Sequence, residues 1–291
     1  MRDTNGRPVG ALLLVAGLLA SVAAAASARR GDGGCAGDAL VQAQVAQYWF
    51  SRGQPARADY HSALALSLDP DCPEALVVQG RLLSQKGQAL AARQALEKAT
   101  HLDPLHAEAR YQLGIWFYRR QRHPEAVPQF ERVVALRPLD ARAHAYLALC
   151  LEALGEAERA GIAYEGALAV KEGPFPDPFL DYYYGRFLLK QNRLEESRSH
   201  LDRAVDLHPR ERTAHYERGK LHLALKEYAA ARKDAERAQS LPDPDGLVLD
   251  LQVYYLLATV YARLGETELA GKYAELSRTT PIPERTIDRR R

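Results

Sequence analysis

The tripeptide Leu-Asp-Pro recurs in this chain at a fixed distance, which narrows the folds open to it more than any other feature. It stands at Leu68-Asp69-Pro70 and Leu102-Asp103-Pro104, and returns in altered form at Leu136-Arg137-Pro138 and Leu207-His208-Pro209. The first three prolines lie 34 residues apart. A period of that size marks a stacked array of small supersecondary units, and it overrides the two-domain expectation that 291 residues would otherwise raise. A 34-residue frame laid back from each proline starts units at Ala39, Pro73, Ala107 and Ala141. Two more starts, Pro178 and Arg212, follow a three-residue insertion, and a last, Leu251, follows one of five residues. Both insertions fall in turn-rich stretches, residues 172–177 and 242–246, so frame shift and loop chemistry agree.

Within the frame each unit divides into two helical patterns. In the first, apolar or small residues are expected at the fourth, seventh, eighth and eleventh places, a 3.6-residue stripe. The third unit shows it at Leu113, Gly114 and Phe117, with Tyr111 and Tyr118 on a different face. A turn follows at Gly53, Gly87, Gly155 and Gly265, one frame position where a helix end needs a left-handed residue. The second helix carries Ala58, Ala92, Ala126, Ala160, Ala231 and Ala270, and seven later Ala65, Ala99, Val133, Ala167, Ala204 and Ala238. Small side chains there allow two helices to approach closely. The closing proline stops the second helix, since inside it would cost about 3 kcal/mol.

These residues resemble the tetratricopeptide repeat family, whose pattern of Leu-Gly, aromatic, Ala, aromatic, Ala and Pro is met by Leu113-Gly114, Phe117, Ala126, Phe130 and Pro138, with Val133 replacing the second Ala. The resemblance covers Ala39 to about Thr280. It implies an all-α, right-handed superhelical solenoid of about seven helix-turn-helix repeats, with a concave groove that binds peptides or partner proteins. No hairpin buries its apolar stripe alone, so the ends matter. Where earlier units place Leu68, Leu102, Leu136 or Leu207 towards the next unit, the last places Arg278 and Thr280, a polar outer face. Residues 281–291 read as a disordered basic tail.

The chain's first stretch reads differently. Arg2 and Arg7 precede an apolar run from Val9 to about Ala26, followed by Ala26-Ser27-Ala28, the small-x-small form of a signal-peptidase site. Its Leu-rich centre is short for a bilayer span of about 20 residues. Residues 1–28 are therefore expected to be a signal peptide and 29–38 a Gly-rich linker; the alternative is an uncleaved N-terminal anchor. Either places the repeats outside the cytoplasm, periplasmic or secreted. In an oxidising compartment three cysteines imply one bridge and one free thiol. Cys35 precedes the first helix and Cys72 follows the second, ends that antiparallel packing brings together, so these two are the expected pair; the alternative is two unrelated thiols. Cys150 lies beside the core stripe.

Lys+Arg 39 against Asp+Glu 37 leaves a net charge of +2, which does not favour nucleic-acid binding. If one side of each first helix faces the core, the fifth place lies on the other, and it holds Tyr111, Tyr182, Tyr216 and Tyr255. The ninth and thirteenth places add Arg81, Arg119, Arg186, Lys190, Lys220 and Arg263. Tyrosine faces and guanidinium forks suit an extended partner segment, possible acidic character included; the competing reading is that the tyrosines pack between units. One family subclass clamps a C-terminal carboxylate with Lys and Asn, then Asn, then Lys and Arg on three successive units, and no such set occurs here. His101, His106, His215 and His222 do not converge in sequence, and there is no phosphate loop, nucleophile elbow or His-Glu-x-x-His motif, so no metal, cofactor or catalytic residue is assigned. The expected function is a non-catalytic protein-binding scaffold of the cell envelope or of the secreted fraction. Its alternatives are a membrane-anchored assembly subunit and, from another class, an enzyme or metal carrier built on the histidines.

Overall fold

The computed structural model describes residue 35 and residues 37–174, 176–243 and 246–281. The expected signal segment, most of the linker and residues 282–291 of the tail lie outside the described residues. Among the described residues there are fourteen α-helices and no strand: α1 Gly37–Ser51, α2 Pro55–Leu68, α3 Pro73–Gln85, α4 Ala89–Leu102, α5 Ala107–Arg119, α6 His123–Leu136, α7 Ala141–Ala153, α8 Ala157–Ala169, α9 Leu180–Lys190, α10 Leu194–Leu207, α11 Arg212–Ala224, α12 Tyr228–Ser240, α13 Asp250–Leu264 and α14 Thr267–Thr279. They pack in twos, α1 with α2 through α13 with α14, as seven hairpins. Hairpins one to three form a compact unit ending at Pro138, and hairpins four to seven form a second beginning at Leu139. The fold is an all-α solenoid of helix hairpins. Among the described residues no helix is long and apolar enough to cross a membrane.

First helices begin at Gly37, Pro73, Ala107, Ala141, Leu180, Arg212 and Asp250, beside frame starts at 39, 73, 107, 141, 178, 212 and 251. Hairpin five starts late because Asp177 Oδ1 accepts the Phe179 N–H at 2.8 Å, which keeps Pro178 and Phe179 in a turn. The small residues of the second helices do lie in the hairpin core: Ala58, Ala92, Ala126, Ala160 and Ala231 are wholly buried. In hairpin five Ser197 takes that place, and its hydroxyl donates to the Gly185 carbonyl at 2.7 Å, which satisfies the one polar atom it brings into the core. Opposite these positions, close packing needs glycine. A Cβ on Gly114 would stand 2.8 Å from the Phe130 ring, and one on Gly185 2.8 Å from Leu201.

The fourth place of the first helix departs from the apolar stripe. It holds Gln42, Arg110, Asp181 and His215, and each reaches the residue nineteen further on, across its own hairpin. Gln42 Oε1 lies 2.7 Å from His61 Nδ1, Arg110 Nη1 donates to Gln129 at 3.4 Å, Asp181 lies 2.8 Å from His200 Nδ1, and His215 Nδ1 lies 3.0 Å from Asp234. In the last hairpin the same two places hold Tyr254 and Tyr273, ring centroids 6.0 Å apart. This place sits where the two helices face one another near the hairpin's open end, so a polar pair is tolerated when each member satisfies the other.

Candidate partner-binding face

In the second unit the first helices α7, α9, α11 and α13 pack side by side, α7 on α9, α9 on α11 and α11 on α13. Residues five, nine and thirteen of such a helix share a face. On α9 that face carries Tyr182, Arg186 and Lys190, on α11 Tyr216 and Lys220, and on α13 Tyr255 and Arg263. Tyr182 is half-buried against Ala204, Val205 and Ala214, and Tyr216 is half-buried against the core of the last two hairpins. Tyr255 stands clear, 68% exposed, and Arg263 is exposed beside α13's end. Burial pushes the Tyr182 hydroxyl above the ordinary phenol range and, with the nearby Glu217 and Tyr182 groups, lifts Tyr216 to about 12. Both therefore remain neutral hydrogen-bonding groups at physiological pH.

Three of the cations expected to meet a partner's acids, Arg186, Lys190 and Lys220, already have acids of their own. Glu152, at the end of α7, accepts Lys190 Nζ at 2.6 Å, Arg186 Nη2 at 3.2 Å and the Tyr164 hydroxyl at 3.0 Å. Burial raises its carboxyl, but Arg186 and Lys190 outweigh that and hold it below the ordinary carboxylate range. Arg186 in turn, opposed by burial, is held charged chiefly by Glu152, and its guanidinium stands 5.7 Å from the Tyr182 ring. Lys220 pairs with the buried Glu217 at 2.7 Å and stands 5.3 Å from the Tyr216 ring. The face is thus a row of tyrosines framed by internally neutralised charge, which corrects the expectation of open cationic forks at Arg186, Lys190 and Lys220. Glu152 was missed in the sequence because it sits at the twelfth place of a unit whose fifth and ninth places are Ala145 and Leu149. Its only signal was a carboxylate one unit ahead of Arg186.

In the first unit the expected face is less open. Tyr111 is buried with its ring centroid 5.9 Å from that of Phe130, at 71°, so it is a packing residue, contrary to its placement on the partner face. The bulk of Phe130, which fills the space left by Gly114, gives the Tyr111 ring an edge to rest on. Arg81 lies across the Phe50 ring at 4.0 Å and donates to Gln47 at 3.0 Å. Arg119 is exposed at the end of α5.

Cys35 and Cys72 meet at the base of the first hairpin, Cα atoms 4.4 Å apart and sulfurs 2.09 Å apart. Together with Glu74 they are the only three potential metal ligands brought within 4.8 Å of one another among the described residues, and no histidine joins them. Three of the four histidines singled out in the sequence have structural partners instead. His106 accepts the Ala109 N–H at 3.1 Å and so caps α5, while His215 meets Asp234 and His222 meets Glu227 at 2.7 Å. His101 is exposed. Cys150 is wholly buried, and burial pushes its thiol up to about 12, well out of reach of the reactive thiolate.

Comparison with known proteins agrees with this architecture. A family model described as tetratricopeptide repeat matches residues 77–132, 111–175 and 185–245, and a second of the same description matches 251–277. The curated Hsp70-Hsp90 organizing protein 3 of Arabidopsis thaliana is 28% identical over 102 residues, 35% of this chain and 16% of that protein, so the chain spans a small part of its relative's length. Among solved structures, the pilF protein of Pseudomonas aeruginosa is similar at a TM-score of 0.60 and 18% identity, covering 74% of this chain and 95% of that one. A tetratricopeptide repeat protein from Parabacteroides merdae is similar at 0.60 and 14% identity, covering 86% and 96%. At these identities the two structures speak for the fold alone.

Proposed function

This chain belongs to the tetratricopeptide repeat family, and from that premise we propose that it is a non-catalytic protein-interaction scaffold that holds an extended partner segment against the tyrosine row of its second unit. The observation that carries the reading is the repetition of tyrosine at one place on three consecutive first helices, at Tyr182, Tyr216 and Tyr255, the last fully presented. Tyrosine supplies a large rigid contact at low entropic cost, with a hydroxyl that bonds a partner's main chain. Phage-displayed peptides selected on the full chain test it. The double variant Tyr216→Ala, Tyr255→Ala should lose the selected peptides by roughly tenfold or more in affinity while circular dichroism stays helical. Unchanged binding by a folded double variant would move the site off this face.

The reading extends to place. An exported protein is supported by the basic start, apolar run and small-x-small sequence of residues 1–28, and by the meeting of Cys35 with Cys72, which as a bridge would close the first hairpin outside a reducing cytoplasm. Retained rather than cleaved, the same apolar run would make the chain a membrane-anchored subunit; mass spectrometry of the mature N-terminus distinguishes the two.

A further inference from the structure

In the first unit the first helices pack side by side, α1 on α3 and α3 on α5, so the three hairpin turns line one edge and the turns between hairpins line the other. Contacts between neighbouring hairpins fix that edge: Arg81 over Phe50, Lys86 to Asp59 at 2.9 Å, and the Trp116 indole N–H to the Ala89 carbonyl at 2.9 Å. Residues 50–60, 84–94 and 118–128, which form it, carry seven Lys or Arg against two acids. The opposite edge, residues 66–76 and 100–110, carries five acids against one Arg. In the second unit the equivalent hairpin-turn stretches, 152–162, 189–199, 223–233 and 262–272, hold nine basic and eight acidic residues. The polarity therefore belongs to hairpins one to three and is not a by-product of the repeat.

Arg93 and Arg122 on this edge pair with Glu97 and Glu125, while Arg52, Arg57, Arg119 and Arg120 have no acid of their own, and three of these four are braced by a ring. Arg57 lies over the Trp49 ring at 4.4 Å, Arg120 over Trp116 at 4.1 Å and Arg52 over Tyr48 at 5.3 Å. Among the described residues Arg52, Arg57, Arg119 and Arg120 enter no ion pair, whereas Arg186, Lys190 and Lys220 of the tyrosine face do. Burial and the like charge of Arg119 both push Arg120 below the ordinary guanidinium range, the mark of a crowded cation without a counter-charge. Stacking fixes the plane of a guanidinium while leaving its N–H edge for a planar, bidentate acceptor.

We propose that the hairpin-turn edge of hairpins one to three is a second interaction surface, and that it takes an Asp/Glu-rich segment of a partner protein through Arg52, Arg57, Arg119 and Arg120. The inference rests on the scaffold reading for the partner's being a protein, but its site is separate from the tyrosine row. A carboxylate segment is favoured over an anionic lipid surface because ring-braced forks select acceptor geometry, whereas a lipid surface responds to charge alone.

The test uses the full chain and a synthetic peptide of alternating Asp and Glu, read by fluorescence anisotropy at low and physiological salt. Wild type should bind it, more weakly as salt rises. Changing the four arginines to Gln should weaken binding by about tenfold or more, and changing all four to Lys, which preserves charge but not the fork, should still weaken it several-fold. The Tyr216→Ala, Tyr255→Ala variant should bind the acidic peptide as wild type does, so failure of this surface and failure of the tyrosine row are read separately. Absence of peptide binding by wild type, or equal binding by the Lys and wild-type proteins, would overturn the proposal. So would capture of phosphatidylglycerol vesicles that the acidic peptide does not compete away, which would make the edge a membrane contact. Circular dichroism of each variant separates lost contact from lost fold.

Discussion

At three hairpin turns a residue with a side chain holds the left-handed backbone that glycine holds at the other four. Gly53, Gly87, Gly155 and Gly265 have φ between +65° and +81°, and Gln121, Asn192 and Lys226 occupy the equivalent turns at φ +56°, +58° and +63°. Asparagine tolerates that region through its short polar side chain, but Gln and Lys are strained there. Lys226→Gly and Gln121→Gly should each stabilise the fold by up to about 1 kcal/mol, the relief of strain being offset in part by the greater freedom of glycine in the unfolded chain. Urea denaturation measures it, and a lower midpoint for both would show the turns to be unstrained. The turn was legible in the sequence at the four glycines, because only glycine announces the conformation on its own. The other three were silent, since the fold imposes on them a backbone that their side chains do not prefer.

The helix pair is where side-chain size decides the sign of a change. Gly114 lies under Phe130, and Gly271 on α14 meets nothing within 4 Å of an added Cβ. The same substitution should therefore act in opposite directions. Gly114→Ala should destabilise by about 1–3 kcal/mol through overpacking against a ring that cannot retreat, more than the helix propensity it gains. Gly271→Ala should stabilise by about 0.5–1 kcal/mol through propensity alone. Thermal unfolding of the two variants is the check, and a matching sign would refute the packing account. At this scale the alternation of small and large residues was readable, as at Ala126 and Phe130, because burial constrains size in every unit. The fourth place was not, because its polar residues differ from unit to unit and only their common distance of nineteen betrays the pairing. The tyrosine row was legible as a column of like residues, yet the sequence could not tell Tyr111, turned into the core by Phe130, from Tyr255, which faces solvent.

Over the whole molecule the three thiols give a direct readout of closure and packing. A bridge between Cys35 and Cys72, 37 residues apart in sequence, would stabilise the first hairpin by about 4 kcal/mol in the chain-entropy model. The folded, unreduced chain should then show no thiol reactive to a disulfide reagent, because Cys150 is buried; urea should expose one, and urea with a reductant all three. Three thiols in urea alone would mean that the bridge does not form. The array's existence was plain from the Leu-Asp-Pro period, since a stacked solenoid repeats its stops as well as its core. How charge divides between the two edges of hairpins one to three was not, because the sequence interleaves stretches that the fold gathers on opposite sides. The polar pairs across the hairpins bear on how such a chain can change over time. Gln42 answers His61, Arg110 answers Gln129, Asp181 answers His200, and His215 answers Asp234, so in four of the seven hairpins the first helix carries a polar group that its own second helix satisfies. Recombination that exchanged α10 for α12 would set Asp181 against Asp234 and strand two carboxylates face to face. Where such a pair is present the hairpin is the module best inherited whole, and duplication or deletion of a complete hairpin should be tolerated better than exchange of one of its helices for a helix of mismatched charge.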